Sequence, residues 1–214
     1  MSSKINLGII GLSAANSWAS NAHYPYLKDS DKYRIAAISN SKLESSEAAA
    51  EKYGIPREHA HASADSIAAD RDVNLVVVSV KVPYHKQLLL PAIKAKKDVF
   101  SEWPLGANLE EAQEIAHLAQ EAGVRTMVGL QARQDVAINE AKKLVDSGKL
   151  GEILSTSFMG YGLAWTDIAD ESNAYGYDIK NGATLTTIPS GHSLDAICYV
   201  LGEFETVSAT AIRD

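Results

Sequence analysis

The residues best suited to chemistry begin with a glycine turn. Gly8-Ile9-Ile10-Gly11-Leu12-Ser13-Ala14-Ala15-Asn16 closes and follows an apolar run, Ile5 to Ile10. In a dinucleotide-binding turn the first glycine makes the bend. The second lets the backbone approach a pyrophosphate, and the third lets helix and strand pack closely. With Gly11 as the first, the second slot holds Ser13 and the third Asn16, so one glycine of three survives. A pyrophosphate over Gly11 to Ala15 would accept from the Ser13 or Ala14 amide. A plain strand-turn of an α/β domain is the alternative. Where an acid after the second strand would grip the ribose 2′-hydroxyl of NAD, this chain has Ser39-Asn40-Ser41-Lys42. Hydroxyls and a lysine suit a 2′-phosphate, which favours NADP over NAD; an ordinary polar turn is the competing reading.

His192 falls in the first turn of a predicted helix, where the helix dipole favours the neutral imidazole. There it could take a hydroxyl proton as a general base, with Asp195 one turn on to orient it. A histidine that caps or packs the helix is the alternative. His59 and His61 lie two apart in a polar stretch, and no acid or cysteine makes them a convincing metal site, so they read as a solvated loop and no metal site is expected. Cys198 is the only cysteine, which excludes an intrachain disulfide and a cysteine-based zinc cluster. No stretch resembles a nucleophile elbow, a phosphate-binding P-loop or a paired-carboxylate hydrolase.

The elements that must position these residues alternate. Strands are predicted over Ile5 to Ile10, Tyr33 to Ser39, Leu75 to Val80, Asp98 to Ser101 and Arg125 to Leu130. Leu75-Val76-Val77-Val78-Ser79-Val80 is apolar on both faces, as in a parallel sheet covered on both sides. Between the first two strands there is room for a helix that Pro25 must end or kink. Helices follow over Leu43 to Tyr53, His85 to Lys96 with Pro91 inside, and Leu109 to Ala122. The last has Asn108 as cap, Glu111 at the third position and Gly123 as its stop. Its apolar face reads Leu109, Ala112, Ile115, Ala116, Ala119 and Ala122. This β-α alternation predicts a doubly wound parallel sheet. Beyond it come a helix over Ala137 to Val145, a strand over Glu152 to Gly160, a loop from Tyr161 to Gly182, a helix over Ser190 to Leu201 and a strand over Glu205 to Ile212.

At 214 residues the chain has room for one large domain and a fraction of another, at about 150 residues per domain. Lys plus Arg total 20 against 27 Asp plus Glu, a net charge of −7, which disfavours direct nucleic-acid binding. No apolar run reaches membrane-spanning length, and the first residues lack the pattern of a signal peptide. A cytoplasmic setting is expected, with the nucleus as the alternative.

Several segments together resemble the glucose-fructose oxidoreductase / inositol dehydrogenase (Gfo/Idh/MocA) family. They are Leu75 to Val80 followed by His85; Asp98-Val99-Phe100-Ser101-Glu102-Trp103-Pro104-Leu105; Gly129-Leu130-Gln131-Ala132-Arg133; Leu144 to Ile153; and Gly191-His192-Ser193-Leu194-Asp195. Gly11-Leu12, His23-Tyr24-Pro25, Glu102-Trp103, Leu130-Gln131 and Gly191-His192 are most similar to the branch of the fungal galactose-pathway repressor. The resemblance implies a Rossmann domain over 1–130 and, over 131–214, the start of an α+β open-sheet domain that carries substrate and the oligomer interface. Members of the family are longer, so that second domain is expected to be incomplete here. The resemblance also implies a nucleotide site that adds Val80, His85, Glu102, Trp103 and Gln131 to the glycine-turn residues.

At the catalytic positions the chain departs from the family. Where catalytic members carry Glu-Lys-Pro, the lysine slot holds Trp103. Four residues before His192, where an aspartate is usual, stands Ile188. The expected function is therefore an NAD(P)-binding oxidoreductase of a sugar, polyol or small carbonyl compound, as a homo-oligomer if the second domain is completed. The alternative is a non-catalytic NAD(P)-binding regulator that acts through a protein partner.

Overall fold

The structure is a computed structural model that describes residues 4–160, 171 and 173–210. It divides into two compact units. The first runs to Gly129 and takes in Asp178–Ala183; the second holds Leu130–Tyr177 and the residues from Thr184 onward.

The first unit is an α/β Rossmann domain. Six strands, β1 (Ile5–Ile10), β2 (Tyr33–Ser39), β3 (Ala60–His61), β4 (Leu75–Val78), β5 (Asp98–Glu102) and β6 (Thr126–Gly129), form one sheet in the order β3-β2-β1-β4-β5-β6. Every pairing is parallel. The chain works outward from β1 to β3 and then returns to the centre at β4. That puts the switch point between β1 and β4, where a crevice opens beyond the carboxyl ends of the strands.

The central strands are buried on both faces because alternate residues feed two different cores. Val76 and Val78 pack with Ile10, Ile67, Leu89, Ile93 and Ile115 on one side. Val77 packs with Leu7, Ile9, Leu12, Ile38 and Ala49 on the other. Gly8 is needed for this closeness: a Cβ there would stand 3.0 Å from the Ile67 and Val73 side chains.

The helices of this unit are α1 (Tyr24–Leu27), α2 (Leu43–Tyr53), α3 (Ala64–Ala69), α4 (His85–Lys94) and α5 (Leu109–Ala122). The room before β2 holds a π-helical turn, Ala19–His23, that runs directly into α1, and Pro25 falls inside this continuous helical run, where it has no N–H to return to the preceding turn. Asn108 caps α5 by accepting from the Glu111 amide at 2.9 Å, and Gly123 ends it at φ +69°. The buried stripe of α5 is narrower than its periodicity suggested. Ile115 and Ala119 are buried with Leu118 and Ala122 beside them, whereas Leu109 is 72% exposed and Ala116 faces solvent. An apolar residue is buried only where a neighbouring element covers it, and nothing in the core clusters reaches the first turn of this helix.

The second unit contains α6 (Val136–Asp146) and α7 (Pro189–Leu201). The strand expected over Glu152 to Gly160 is absent: those residues are exposed and outside any ladder. Residues 205–210 of the strand expected over Glu205 to Ile212 behave the same way, and 211 and 212 lie outside the described residues. Alternating apolar residues make a segment fit for a sheet, but a strand exists only when a neighbour takes its amides and carbonyls. Of the predicted loop from Tyr161 to Gly182, residues 161–170 and 172 lie outside the described residues, and Ala174–Tyr177 and Ile179–Asn181 form short 3-10 turns. No described helix is long and apolar enough to cross a membrane.

Candidate functional site

The glycine turn is built by hydrogen bonds that fix its carbonyls. The Gly11 amide donates to the Ser39 carbonyl at 3.0 Å. The next three carbonyls are all taken by side chains from the second βα unit: Leu12 O by Asn40 Nδ2 at 3.0 Å, Ser13 O by the Tyr53 hydroxyl at 2.8 Å and Ala14 O by Lys52 Nζ at 2.8 Å. In a planar peptide the N–H points opposite the carbonyl, so the amides of Ser13, Ala14 and Ala15 are turned the other way. The Ala15 amide donates to Ser13 Oγ and the Ser13 amide to Ser17 Oγ. The Ala14 amide has no partner among the described residues, which leaves it as a donor for an incoming anion. Gly11 has φ +103°, and a Cβ would overlap the Ser79 carbonyl and the Val80 side chain. The turn therefore has the tight approach that a dinucleotide pyrophosphate requires.

Beside the turn lies a cavity of about 560 Å³, within the usual size of a cofactor site. Of the residues read from sequence, Gly11, Ser13, Ser39, Asn40, Ser41 and Val80 line it. Sequence reasoning missed Ser45, Ser63, Tyr84 and Gln87, which also line it. Ser63 alone carried a signal, as the N-cap of α3 accepting from the Ser66 amide at 3.1 Å. No carboxylate among the described residues lines this cavity.

Burial sets how the other expected residues are placed. Leu12 is fully buried in the core, and Ser39 is 1% exposed, because β2 is an interior strand at that point. Lys42 does not line the cavity; it opens α2, its carbonyl accepting the Ser45 hydroxyl at 2.7 Å and the Ser46 hydroxyl at 3.2 Å. His85 is 1% exposed. Its Nδ1 lies 2.8 Å from the Pro104 carbonyl and its Nε2 2.9 Å from the Val80 carbonyl. It ties the turn after β4 to the segment after β5 and offers nothing to a ligand. Ala14 and Ala15 are at the turn surface, outside the cavity lining.

Glu102, the last residue of β5, pairs with His23 Nε2, and the His23 ring meets Phe100 edge-on at 5.6 Å. This pair stands at the carboxyl edge of the sheet. Trp103 follows it, half-buried, joined to Pro104 by a cis peptide. Gly129, at the end of β6, is close enough that a Cβ there would meet the Glu102 carboxylate at 2.8 Å.

In the second unit, His192 lies in the first turn of α7 and borders an apolar cavity of about 360 Å³ with Ala132, Ile138, Phe158, Ala196 and Ile197. Asp195 does not orient it. Both Asp195 oxygens accept from the Arg133 guanidinium, a fork-on-fork pair with the Asp195 side chain only 11% exposed. Ile188 caps α7 without a side-chain hydrogen bond. Gln131 is exposed in the helical turn Gln131–Gln134 of this unit.

Residues 5–130 match the oxidoreductase family with an NAD-binding Rossmann fold, Gfo/Idh/MocA. The chain belongs to that family. Residues 137–214 match the C-terminal domain of Gal80p. The chain is 44% identical to the dehydrogenase aclE of Aspergillus oryzae, over 98% of this chain and 58% of that protein. It is 31% identical to the galactose/lactose metabolism regulatory protein GAL80 of Saccharomyces cerevisiae, over 94% of this chain and 48% of that protein. A crystal structure of super-repressor Gal80p from the same yeast superposes with a TM-score of 0.86 at 30% identity, covering 92% of this chain and 53% of the other. Aldose-aldose oxidoreductase from Caulobacter crescentus superposes with a TM-score of 0.78 at 25% identity, over 94% of this chain and 58% of the other. The chain thus spans about half the length of the relatives it matches. The family resemblance and the Rossmann class expected from sequence are both borne out, and the family includes a dehydrogenase and a regulator among these relatives.

Proposed function

We propose that the first unit binds NADP in preference to NAD, and that the chain is part of an oxidoreductase acting on a sugar, polyol or small carbonyl compound. The observation that carries this is the Gly11 turn opening on a cavity that has serine hydroxyls and no carboxylate among the described residues. A carboxylate would repel a 2′-phosphate; the Ser41 hydroxyl can donate to it, and Lys42 is the adjacent cation. His192 supplies the base for an alcohol proton in this reading, and the Glu102–His23 pair holds the carboxyl edge of β5 where the reactive end of the cofactor belongs. The nucleotide when bound supplies hydride transfer; the chain's own residues bind, orient and move the proton.

A second reading is favoured by Trp103, Ile188 and the capture of Asp195 by Arg133. Each removes a group that proton handling would use. Under it the chain binds NADP without turnover and acts through a protein partner, in the nucleus as well as the cytoplasm. Calorimetric titration of the chain with NADP⁺, NAD⁺ and their reduced forms tests the shared claim. A turnover screen with sugars and polyols then separates the two readings. No binding of any of the four nucleotides would overturn both.

A further inference from the structure

A second cluster of chemical groups sits in the first unit apart from the nucleotide cavity. His59 ends a 3-10 turn, Arg57–His59, and His61 ends β3, with Ala60 between them. Asp70, at the C-terminal end of α3, meets them there. His59 Nδ1 lies 2.7 Å and His61 Nε2 2.9 Å from the same carboxylate oxygen, Asp70 Oδ2. One donor atom from each of the three residues lies within 4.8 Å of the others. The side chains are largely shielded, at 22%, 14% and 7% exposure for His59, His61 and Asp70.

The carboxylate is held from behind. Asp70 Oδ1 accepts the Asp72 amide at 2.9 Å, and Lys97 Nζ donates to the main-chain carbonyls of Asp70 at 3.0 Å and Val73 at 2.6 Å. His61 is fixed through its carbonyl, which accepts the Ser46 hydroxyl at 2.6 Å. The far nitrogen of His59, Nε2, faces Asp72 Oδ2 at 3.5 Å. That is the outer partner a ligating histidine ordinarily has, a carboxylate on the nitrogen that does not bind the ion.

We propose that His59, His61 and Asp70 form a binding site for a divalent transition-metal ion of the zinc type, with water as the fourth ligand. Two imidazole nitrogens and one carboxylate oxygen suit zinc or cobalt; magnesium and calcium take oxygen sets. Ligand atoms on bonds of about 2.0–2.2 Å in a tetrahedron stand roughly 3.3 Å apart, so the present nitrogen-to-oxygen separations need open by only a few tenths of an ångström. On binding, His59 Nδ1 and His61 Nε2 exchange their hydrogen bonds to Oδ2 for bonds to the ion; the proton of His59 moves to Nε2, facing Asp72, and that of His61 moves to Nδ1, so each imidazole binds as the neutral tautomer. The ion then clamps the edge strand β3 to the segment between α3 and β4. Ala62, Ser63 and Ala64, which directly follow His61, line the nucleotide cavity, so the clamp also steadies one of its walls.

The test uses the full chain, stripped with chelator and titrated with Co²⁺ near neutral pH, with visible absorption as the readout. One equivalent is expected to produce the intense ligand-field bands of a four-coordinate ion, and Zn²⁺ is expected to abolish them. His61→Asn and Asp70→Asn should weaken binding by more than the roughly 10–100-fold that loss of an outer partner costs. His117→Asn, on the exposed face of α5, should leave it unchanged. Asp70→Asn also removes a loop anchor, so His59→Gln, at the most exposed of the three positions, provides a second variant, and circular dichroism checks the fold of each. A parent chain without those bands overturns the proposal. So does parental affinity in folded His59→Gln or His61→Asn; the cluster is then a hydrogen-bonded clamp only.

Discussion

The Gly11 amide and the Ser39 carbonyl are joined at 3.0 Å. This bond fastens the turn after β1 to the last residue of β2 and sets the two edges of the nucleotide cavity at a fixed separation. It continues the β1–β2 ladder by one residue, and Gly11 then turns away at φ +103° with the Ser79 carbonyl and Val80 where a Cβ would stand. An L-residue would have to leave that conformation and displace the exit of β4 at once.

Gly11→Val should therefore abolish NADP⁺ binding and lower the melting temperature together. Calorimetry on the folded fraction and a thermal scan monitored by circular dichroism measure the two effects. Undiminished NADP⁺ affinity in this variant would move the pyrophosphate away from Gly11 to Ala15.

Nucleotide preference is best probed at Ser41. It lines the cavity and is exposed, whereas Ser39 is buried and an aspartate there would bury a charge within the sheet. Ser41→Asp should shift the NADP⁺/NAD⁺ affinity ratio toward NAD⁺ by roughly ten- to a hundredfold, the worth of one charge-assisted contact of about 1.5–3 kcal/mol. A parent chain that prefers NAD⁺ would contradict the assignment of the 2′-phosphate pocket.

Proton handling rests on His192. With a substrate found by screening, His192→Ala should lower kcat by about 10²–10⁴-fold, the usual share of general acid-base catalysis. Trp103→Lys should raise the rate, since it restores a cation next to Glu102. Turnover that survives His192→Ala would remove the histidine from the mechanism. Inactivity of the parent across sugars and polyols, with nucleotide binding intact, would select the regulatory reading.

Stability should fall in acid in part through Asp98. Hydrogen bonds from the Arg125 side chain, with Nε at 2.9 Å, hold its carboxyl below the usual carboxylate range despite partial burial. A lowered native pKa contributes stability that is fully present above the unfolded value of about 3.9 and is lost as pH falls through the native value. Asp98→Asn should thus melt below the parent at neutral pH, and the gap should close from about pH 5 downward as the parent's carboxyl protonates. A gap of constant size across that range would show that the pair's charge does not contribute.

The local patterns of the chain determined most of the first unit. A short apolar run is ambiguous by itself, yet Leu75 to Val78 could only be an interior strand once its neighbours alternated with helices. Leu43 to Tyr53 and Leu109 to Ala122 were bounded by residues whose capping chemistry acts within a turn of the chain. The oxidoreductase family was legible for the same reason, being carried by short contiguous segments. Tertiary structure alone decided which groups meet across long separations. His23 and Glu102, 79 residues apart, pair because β1 and β5 end on the same edge of the sheet. Asp70 reaches His59 and His61 because α3 returns the chain alongside β3, which turned an expected solvated loop into a shielded cluster. Ser39 and His85, polar in sequence and expected at a ligand, are interior because the sheet and its crossovers cover them. Glu152 to Gly160 has strand-like alternation without a paired neighbour among the described residues. Side-chain periodicity specifies which face a segment would bury, whereas the partner that buries it and satisfies its backbone is a property of the assembled chain.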